Sequence, residues 1–291
     1  MSDKSRAVLS VVVPVHQMAG RLQNLSISLE LASNLPVNFI IVHDGGDEKT
    51  ALEVQKLTSM YKALFISVDV QSPGLARNEG IKYVQTPWIA FWDSDDVGNA
   101  KNILDAIQRT ELQQNVIIGS YETVSLSDSK EVTTSTPKHL RQVMINPGIW
   151  RFAFRVKRIR NIEFPRMRMG EDQVFLAAIG LQEEEILFSD RNFYTYFVGG
   201  LVQLTRQPQY VAEVKEAYEE VKKLLMKNDY PKPYVYVCLV RLMLTAVARR
   251  QVSIFDLLKF IGWDRNLTVS QRLHVIRAIL FVLSNRTRKT L

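Results

Sequence analysis

Trp88-Ile89-Ala90-Phe91-Trp92-Asp93-Ser94-Asp95-Asp96 is an unbroken apolar run that ends abruptly in three carboxylates. A run that is apolar at every position reads as a strand buried on both faces, which implies helices on both sides of a largely parallel sheet. Runs of the same kind stand at Ser10 to Val15, Phe39 to Val42, Leu64 to Val68 and Val116 to Ile118, separated by turns with Gly or Asp and by segments of helical period. Strands alternating with helices predict an α/β domain with right-handed crossovers. Ligands of such sheets bind off the carboxyl ends of the strands, and the residues found there are polar. His43-Asp44-Gly45-Gly46-Asp47 follows the second run and the Asp93 cluster follows the fourth. Between them Gly74 and Gly80 bracket a predicted short helix that carries Arg77 and Asn78.

The rest of the chain sorts by composition. At 291 residues, 46% hydrophobic and 23% charged, it has material for one or two globular domains and is no disordered tail. A single cysteine, Cys238, excludes a disulfide framework and a Cys-cluster zinc site, and fits a reducing compartment. The net charge of +7 is uneven: residues 206–291 hold sixteen Lys or Arg against seven Asp or Glu, while residues 1–205 are nearly balanced. The N-terminal stretch lacks the pattern of a secretory signal. The longest apolar stretches, Tyr234 to Ala248 and Val275 to Leu283, fall short of the ~20 residues that span a bilayer.

After residue 118, alternating stretches at Tyr121 to Ser125, Val132 to Thr136 and Trp150 to Val156 predict strands that extend or cover the sheet. A basic passage from Arg151 to Arg168, with Glu163 its one acid, runs into Gly170-Glu171-Asp172-Gln173, a helix start. Beyond Thr205 helices are predicted: Val211, Val214, Tyr218, Val221 and Leu225 form one stripe, and Asn228 to Pro233 breaks it. Ser253 with Asp256 resembles a capping box, and Val269, Leu273, Ile276, Leu280 and Leu283 form a last stripe.

Each polar cluster has two readings on its residues alone. Three carboxylates within four residues repel one another unless a cation is present, and hard oxygen ligands suit Mg2+ or Mn2+ held by one or two carboxylates plus substrate phosphates. The same residues also make an ordinary solvated turn before a helix. Asp44 before Gly45 is a binding carboxylate or a turn residue. Arg77 and Asn78 bind phosphate or pair locally. Glu171 and Asp172 carry chemistry or simply favour a helix N-terminus. His16, His43, His139 and His274 stand far apart in sequence and form no metal-binding pair.

Taken in order, VVVPVHQMAGRL, IIVHDGGDEKT, GLARNEGI, IAFWDSDD and GEDQVF resemble the successive signatures of family 2 glycosyltransferases of the GT-A type, and WRFAFRVKRIRNIEFP resembles that family's approach to its late acidic motif. The resemblance covers about residues 9–205. It implies an α/β GT-A-type nucleotide-sugar-binding fold with a mostly parallel central sheet. Residues 1–205 would be the catalytic domain, with a nucleotide-binding half at 1–118 and an acceptor-side half at 119–205, followed by a helical extension at 206–291. It implies transfer of a sugar from a nucleotide-diphosphate sugar, a UDP-sugar first, to an acceptor hydroxyl with inversion, in surface polysaccharide or glycan biosynthesis. By position, Pro14, Val15 and His16 would begin the wall of the base pocket and Asp44 would receive a hydrogen bond from the base. Arg77 would reach the nucleotide and its diphosphate, and Asp93, with Ser94, would face the nucleoside. Asp95 would hold Mg2+ or Mn2+, Asp172 would be the general base and Glu171 would stand beside it on the substrate.

The pattern departs from the family in three places. His43 stands where an acid or Asn often precedes the base-binding Asp, and Gly46 stands for the usual Ser. The late element Tyr194-Thr195-Tyr196-Phe197-Val198-Gly199-Gly200 lacks the Arg or His that helps hold metal or diphosphate. Either the basic passage at Arg155 to Arg168 supplies that charge, or metal affinity is weaker, or activity is impaired. The alternative is a catalytically silent sugar-nucleotide- or polyanion-binding protein. Dinucleotide and phosphate-loop glycine motifs are absent, and nucleic-acid binding is not expected. The last stripe either packs on its own domain or, with Arg272, Arg277, Arg286, Arg288 and Lys289 around it, favours an anionic membrane surface. The expected location is cytoplasmic, or peripheral at the inner membrane face where the strip meets a membrane, and a glycan or lipid-linked acceptor is the expected partner.

Overall fold

The computed structural model describes residues 7–126, 132–199, 213–227, 233–248, 253, 255 and 269–286. The chain forms two compact units: 1–137, 149–166 and 184–201 make the first, and 138–148, 167–183 and 202–291 the second.

The first unit is built on one sheet. Its elements are β1 (Leu9–Val15), α1 (Gln23–Leu31), β2 (Val37–Asp44), α2 (Glu48–Tyr61), β3 (Leu64–Val68), α3 (Pro73–Ile81), β4 (Trp88–Phe91), β5 (Val97–Gly98), α4 (Ala100–Ile107), β6 (Val116–Ser125) and β7 (Val132–Ser135). After α5 (Leu140–Val143), which belongs to the second unit, come β8 (Phe152–Arg155) and α6 (Val156–Ile159). The strand order is β3-β2-β1-β4-β8-β6-β9-β5, with β9 the later strand Ile186–Val198 and β7 paired to β6. Pairing is parallel from β3 through β4 and between β6 and β9, whereas β8 runs antiparallel to both neighbours. β3, β2, β1, β4, β6 and β9 therefore all point one way, and β5, β7 and β8 oppose them.

Burial follows from the sequence pattern. Val11, Val12 and Val13 are fully buried, as are Ile89, Ala90 and Phe91 on β4, so both faces of the central strands are covered. Each of the Val, Ile and Phe side chains contributes about 1.5–3 kcal/mol on removal from water. Together these strands hold the ends of β2 and β4, and the loops after them, in fixed register.

The second unit is helical: α5, α7 (Glu171–Ile179), α8 (Glu213–Lys227), α9 (Pro233–Ala248) and α10 (Val269–Arg286). Segments 138–148 and 167–183 join the helices that follow residue 205 because polar and packing ties bind them there. Glu213 accepts from the Arg168 N–H and, at 3.0 Å, from the Met169 N–H. The Tyr234 hydroxyl accepts from the Leu181 N–H at 2.8 Å and donates to the Leu176 carbonyl at 3.0 Å. Gly170 opens α7 at φ +93°, and a Cβ there would lie 2.6 Å from the Ala217 Cβ, so glycine is required for both reasons.

α9 is buried almost all round and forms the centre of this unit. Val214, Tyr218, Val221 and Leu225 of α8 are buried as their spacing predicts. Val211, Asp256 and the break at 228–232 lie outside the described residues. The last stripe behaves differently from the packed-stripe expectation. In α10 it is Val275, Ala278 and Val282 that are buried, while Val269, Leu273, Ile276, Leu280 and Leu283 are exposed. The helix has two apolar faces, and the smaller-residue face is the one that packs on α9.

Candidate active site

β2 ends in Asp44, whose buried carboxylate is an anchor for a loop that follows β3. Its Oδ1 accepts from the Val70 and Gln71 N–H groups at 2.7 and 2.9 Å, and its Oδ2 from the Ser72 N–H at 2.9 Å. Gln71 is held at φ +54°, a left-handed conformation uncommon outside glycine. Ser72 then caps α3 by accepting from the Leu75 N–H at 3.4 Å. A carboxylate has about four acceptor positions and three are filled here. The substitution of Ser by Gly46 also has a backbone reason. Gly46 sits at φ +95°, and a Cβ there would lie 2.9 Å from the Gln17 side chain.

α3 projects Arg77 towards the end of β4. Arg77 Nη2 donates to Asp93 Oδ1 at 2.7 Å, and its guanidinium lies 5.4 Å from the centre of the Phe164 ring. Asn78 clamps the same partner segment: it donates to the Phe164 carbonyl and accepts from the Phe164 N–H, both at 2.9 Å. Two adjacent residues of α3 thus tie the acidic turn to the segment after α6. The expectation that Arg77 reaches the diphosphate meets a side chain that is 4% exposed and already paired with Asp93.

The three carboxylates of the turn have three different fates. Asp93 is half-buried in the Arg77 pair. Asp96 is buried, accepting from the Phe197 N–H at 2.8 Å and the Tyr194 hydroxyl at 3.0 Å, and that hydroxyl also accepts from the Asp93 N–H. Burial, then the charges of Asp95 and Asp93, push the Asp96 carboxyl up to about 9. Asp95 is exposed, yet burial and then the Asp93 charge push its carboxyl up to about 6, with Arg21 pulling the other way. The two facts agree for a side chain set in a recess, where water touches it but protein fills most of its surroundings.

Among the described residues no group of three or more His, Cys, Asp or Glu side chains is arranged to hold a metal ion. The donor set nevertheless fits Mg2+ or Mn2+. One exposed carboxylate whose ionised form is disfavoured by its surroundings gains from a cation, and such ions complete their shell with water and phosphate oxygens.

Residues not singled out from the sequence surround this turn. Asn24 of α1 donates to the Asp95 carbonyl at 2.5 Å. Arg21, exposed and donating to the Gln17 carbonyl, lies three residues before Asn24 and supplies the positive charge acting on Asp95. Trp150 stacks on Tyr194 with ring centres 4.7 Å apart and backs the late Tyr-rich strand. Of the basic passage, Arg155 sits over the Trp88 ring and Arg158 pairs with Glu185 through two bonds of 2.8 and 2.9 Å. Both secure β8 and α6.

The remaining candidates are placed as follows. Val15 is fully buried in the core and supports the end of β1, while Pro14 is half-buried. His16 is exposed, with Nδ1 2.6 Å from the Asp44 carbonyl. His43 is buried against Phe65, and burial lowers its pKa. Ser94 is buried within the turn. Glu171 and Asp172 occupy the first turn of α7 in the second unit, Glu171 buried and Asp172 half-buried, with Asp172 Oδ1 accepting from the Gln173 N–H at 2.7 Å.

Comparisons with known proteins bear on the fold and the family. An uncharacterized glycosyltransferase of Haemophilus influenzae is 24% identical over 191 residues, covering 62% of this chain and 76% of that one. The uncharacterized glycosyltransferase EpsJ of Bacillus subtilis is 22% identical over 245 residues, covering 77% and 70%. Among solved structures, S. aureus TarS 1-349 in complex with UDP-GlcNAc superposes with a TM-score of 0.60 at 15% identity, covering 93% of this chain and 79% of that one. The mannosyltransferase PcManGT of Pyrobaculum calidifontis, in complex with GDP-Man and Mn2+, gives 0.57 at 13% identity, covering 97% and 88%. These structural likenesses establish a GT-A-type fold. The sequence profile of the family described as Glycosyl transferase family 2 matches residues 10–169, more than half of the chain, and the protein belongs to that family of glycosyltransferases.

Proposed function

We propose that this enzyme transfers a sugar from a nucleotide-diphosphate sugar, most simply a UDP-sugar, to a glycan or lipid-linked acceptor hydroxyl with inversion, in surface polysaccharide biosynthesis. The observation that carries the reading is the acidic turn after β4. Two of its carboxylates are fixed by protein partners, which leaves Asp95 to face a ligand. UDP-GlcNAc bound to TarS and GDP-Man with Mn2+ bound to the mannosyltransferase support a donor of this class.

In the reaction the anomeric carbon–oxygen bond to the diphosphate breaks as the acceptor oxygen bonds to that carbon from the opposite face. Asp95 would hold Mg2+ or Mn2+, which when bound offsets the charge growing on the leaving diphosphate. Asp93 and Ser94, fixed by Arg77 and the buried turn, would orient the nucleoside. Asp44, with Pro14 and His16 beside it, would offer its remaining acceptor position to the base. Arg21 would face the diphosphate. Asp172 would take the acceptor proton, with Glu171 beside it, and a single displacement needs no carboxylate nucleophile.

The test is a thermal-shift and turnover panel of nucleotide sugars with and without Mn2+. Stabilisation and turnover by one donor, both requiring the cation, are expected. Stabilisation by UDP with no turnover of any donor would support the catalytically silent alternative.

A further inference from the structure

We infer that the outward face of α10 is a docking surface for an anionic membrane. Leu273, Ile276, Leu280 and Leu283 are between 42% and 63% exposed, and Val269 is 76% exposed. Their spacing of four, three, four and three places them on one strip of the helix. The opposite strip, Val275, Ala278 and Val282, is buried, so the exposed strip is not the helix's packing face. Single exposed apolar residues need no explanation, but a contiguous strip of five marks an interaction site.

Charge selects the occupant. At about 100° per residue, Arg272 and Arg277 fall on either side of the strip. The segment Val269–Arg286 contains no Asp or Glu, and residues 249–291 carry nine Lys or Arg against two acids. In a symmetric pair of such helices the same face meets itself, bringing guanidinium groups together with no carboxylate to receive them. An anionic headgroup layer accepts both features at once: the apolar strip enters the acyl boundary and the flanking arginines meet phosphate. With its other apolar face packed on α9, the helix offers one strip to an interface, and no helix among the described residues is long and apolar enough to cross a membrane. This inference is independent of the donor and the reaction.

The experiment uses the full chain with vesicles of phosphatidylcholine alone and of phosphatidylcholine mixed with phosphatidylglycerol. Wild type is expected to co-sediment with the mixed vesicles and not with phosphatidylcholine alone, and to be released by salt. The double variant Leu273→Glu with Leu280→Glu should lose binding by about tenfold or more, and Arg272→Gln with Arg277→Gln should weaken it severalfold. Leu273, Arg277 and Leu280 are exposed, so the melting temperature of the glutamate variant should be unchanged, while Arg272 is half-buried and its replacement is checked by the same melt. The arginine variant keeps the test valid if the glutamates disturb folding. No binding of wild type to mixed vesicles overturns the inference, as does binding unaffected by either variant. Sedimentation equilibrium is run in parallel: a dimer dispersed by the glutamate variant, without vesicle binding, assigns the strip to self-association and also overturns it.

Discussion

Arg77 and Asp93 form a 2.7 Å ion pair whose two halves differ in exposure, the guanidinium side chain at 4% and the carboxylate side chain at 32%. A buried guanidinium has lost its hydration and depends on its partner, whereas a half-exposed carboxylate is still screened by water. The pair therefore acts mainly to fix the turn. Arg77→Ala should cost about 2 kcal/mol, less than the loss of one partner of a fully buried pair, because water screens the Asp93 charge left behind. It should also weaken UDP binding about tenfold by freeing Asp93. Urea denaturation and calorimetry read the two effects, and unchanged values for both would remove the anchoring role.

Asp96 links stability to pH. Its carboxyl is pushed up to about 9 by burial and by Asp95 and Asp93, while in the unfolded chain it titrates near 4. Between those values the folded protein keeps a proton that the unfolded chain has released. The stabilisation is complete below about 4 and is lost as pH rises through about 9. Asp96→Asn, which cannot ionise, should remove this dependence. In metal-free protein, the wild-type minus variant difference in unfolding free energy should decline steadily from pH 5 to pH 9. Parallel curves would show that Asp96 does not hold the proton.

At Asp95 the same displacement acts on binding. A carboxyl at about 6 must be ionised to take a cation, so protons compete with Mn2+ below that value. In the presence of UDP, apparent Mn2+ affinity should fall about tenfold per pH unit below pH 6 and level off above it. Asp95→Asn should lower affinity at every pH. Affinity that is flat from pH 5 to pH 7.5 would exclude Asp95 as the ligand.

Asp172→Asn keeps the size of the side chain and its hydrogen bond from the Gln173 N–H, but removes the base. Turnover should fall about 100-fold or more while UDP affinity stays within about twofold. Full activity in this variant would assign the proton to another group.

Much of this architecture was legible because its signals are local. The buried strands, Gly170 before α7 and the acidic turn each lie within a few consecutive residues. The partners of the turn do not. Asp96 meets Tyr194 and Phe197 about a hundred positions later, and Asp44 binds a loop 26 to 28 residues on. In the Tyr-rich strand it is the Tyr194 hydroxyl that holds the turn, and nothing in its local sequence marks that role. In α10 the periodicity identified an apolar strip, but only the position of α9 shows which face is covered.

We propose that Arg21, in the loop before α1, supplies the positive charge that the late Tyr-rich element lacks. Arg155 and Arg158 are held by Trp88, the Gln114 carbonyl and Glu185, whereas Arg21 is exposed and its charge acts on Asp95. Asn24, one turn further along, fixes the start of α1 to the Asp95 carbonyl and so sets where Arg21 stands. On the proposed reading a guanidinium at this place would face the diphosphate and not the base. Arg21→Ala should therefore weaken UDP binding about tenfold, the cost of one charge-assisted contact, and leave uridine binding unchanged. Arg21→Lys should restore part of the loss, because a point charge keeps the attraction but not the fork geometry. Calorimetry with uridine and UDP on the three proteins separates the outcomes. Equal loss for uridine and UDP would mean that Arg21 only shapes the loop. No loss for either would return the question of diphosphate charge to Arg160 and Arg166, the remaining exposed arginines of the basic passage.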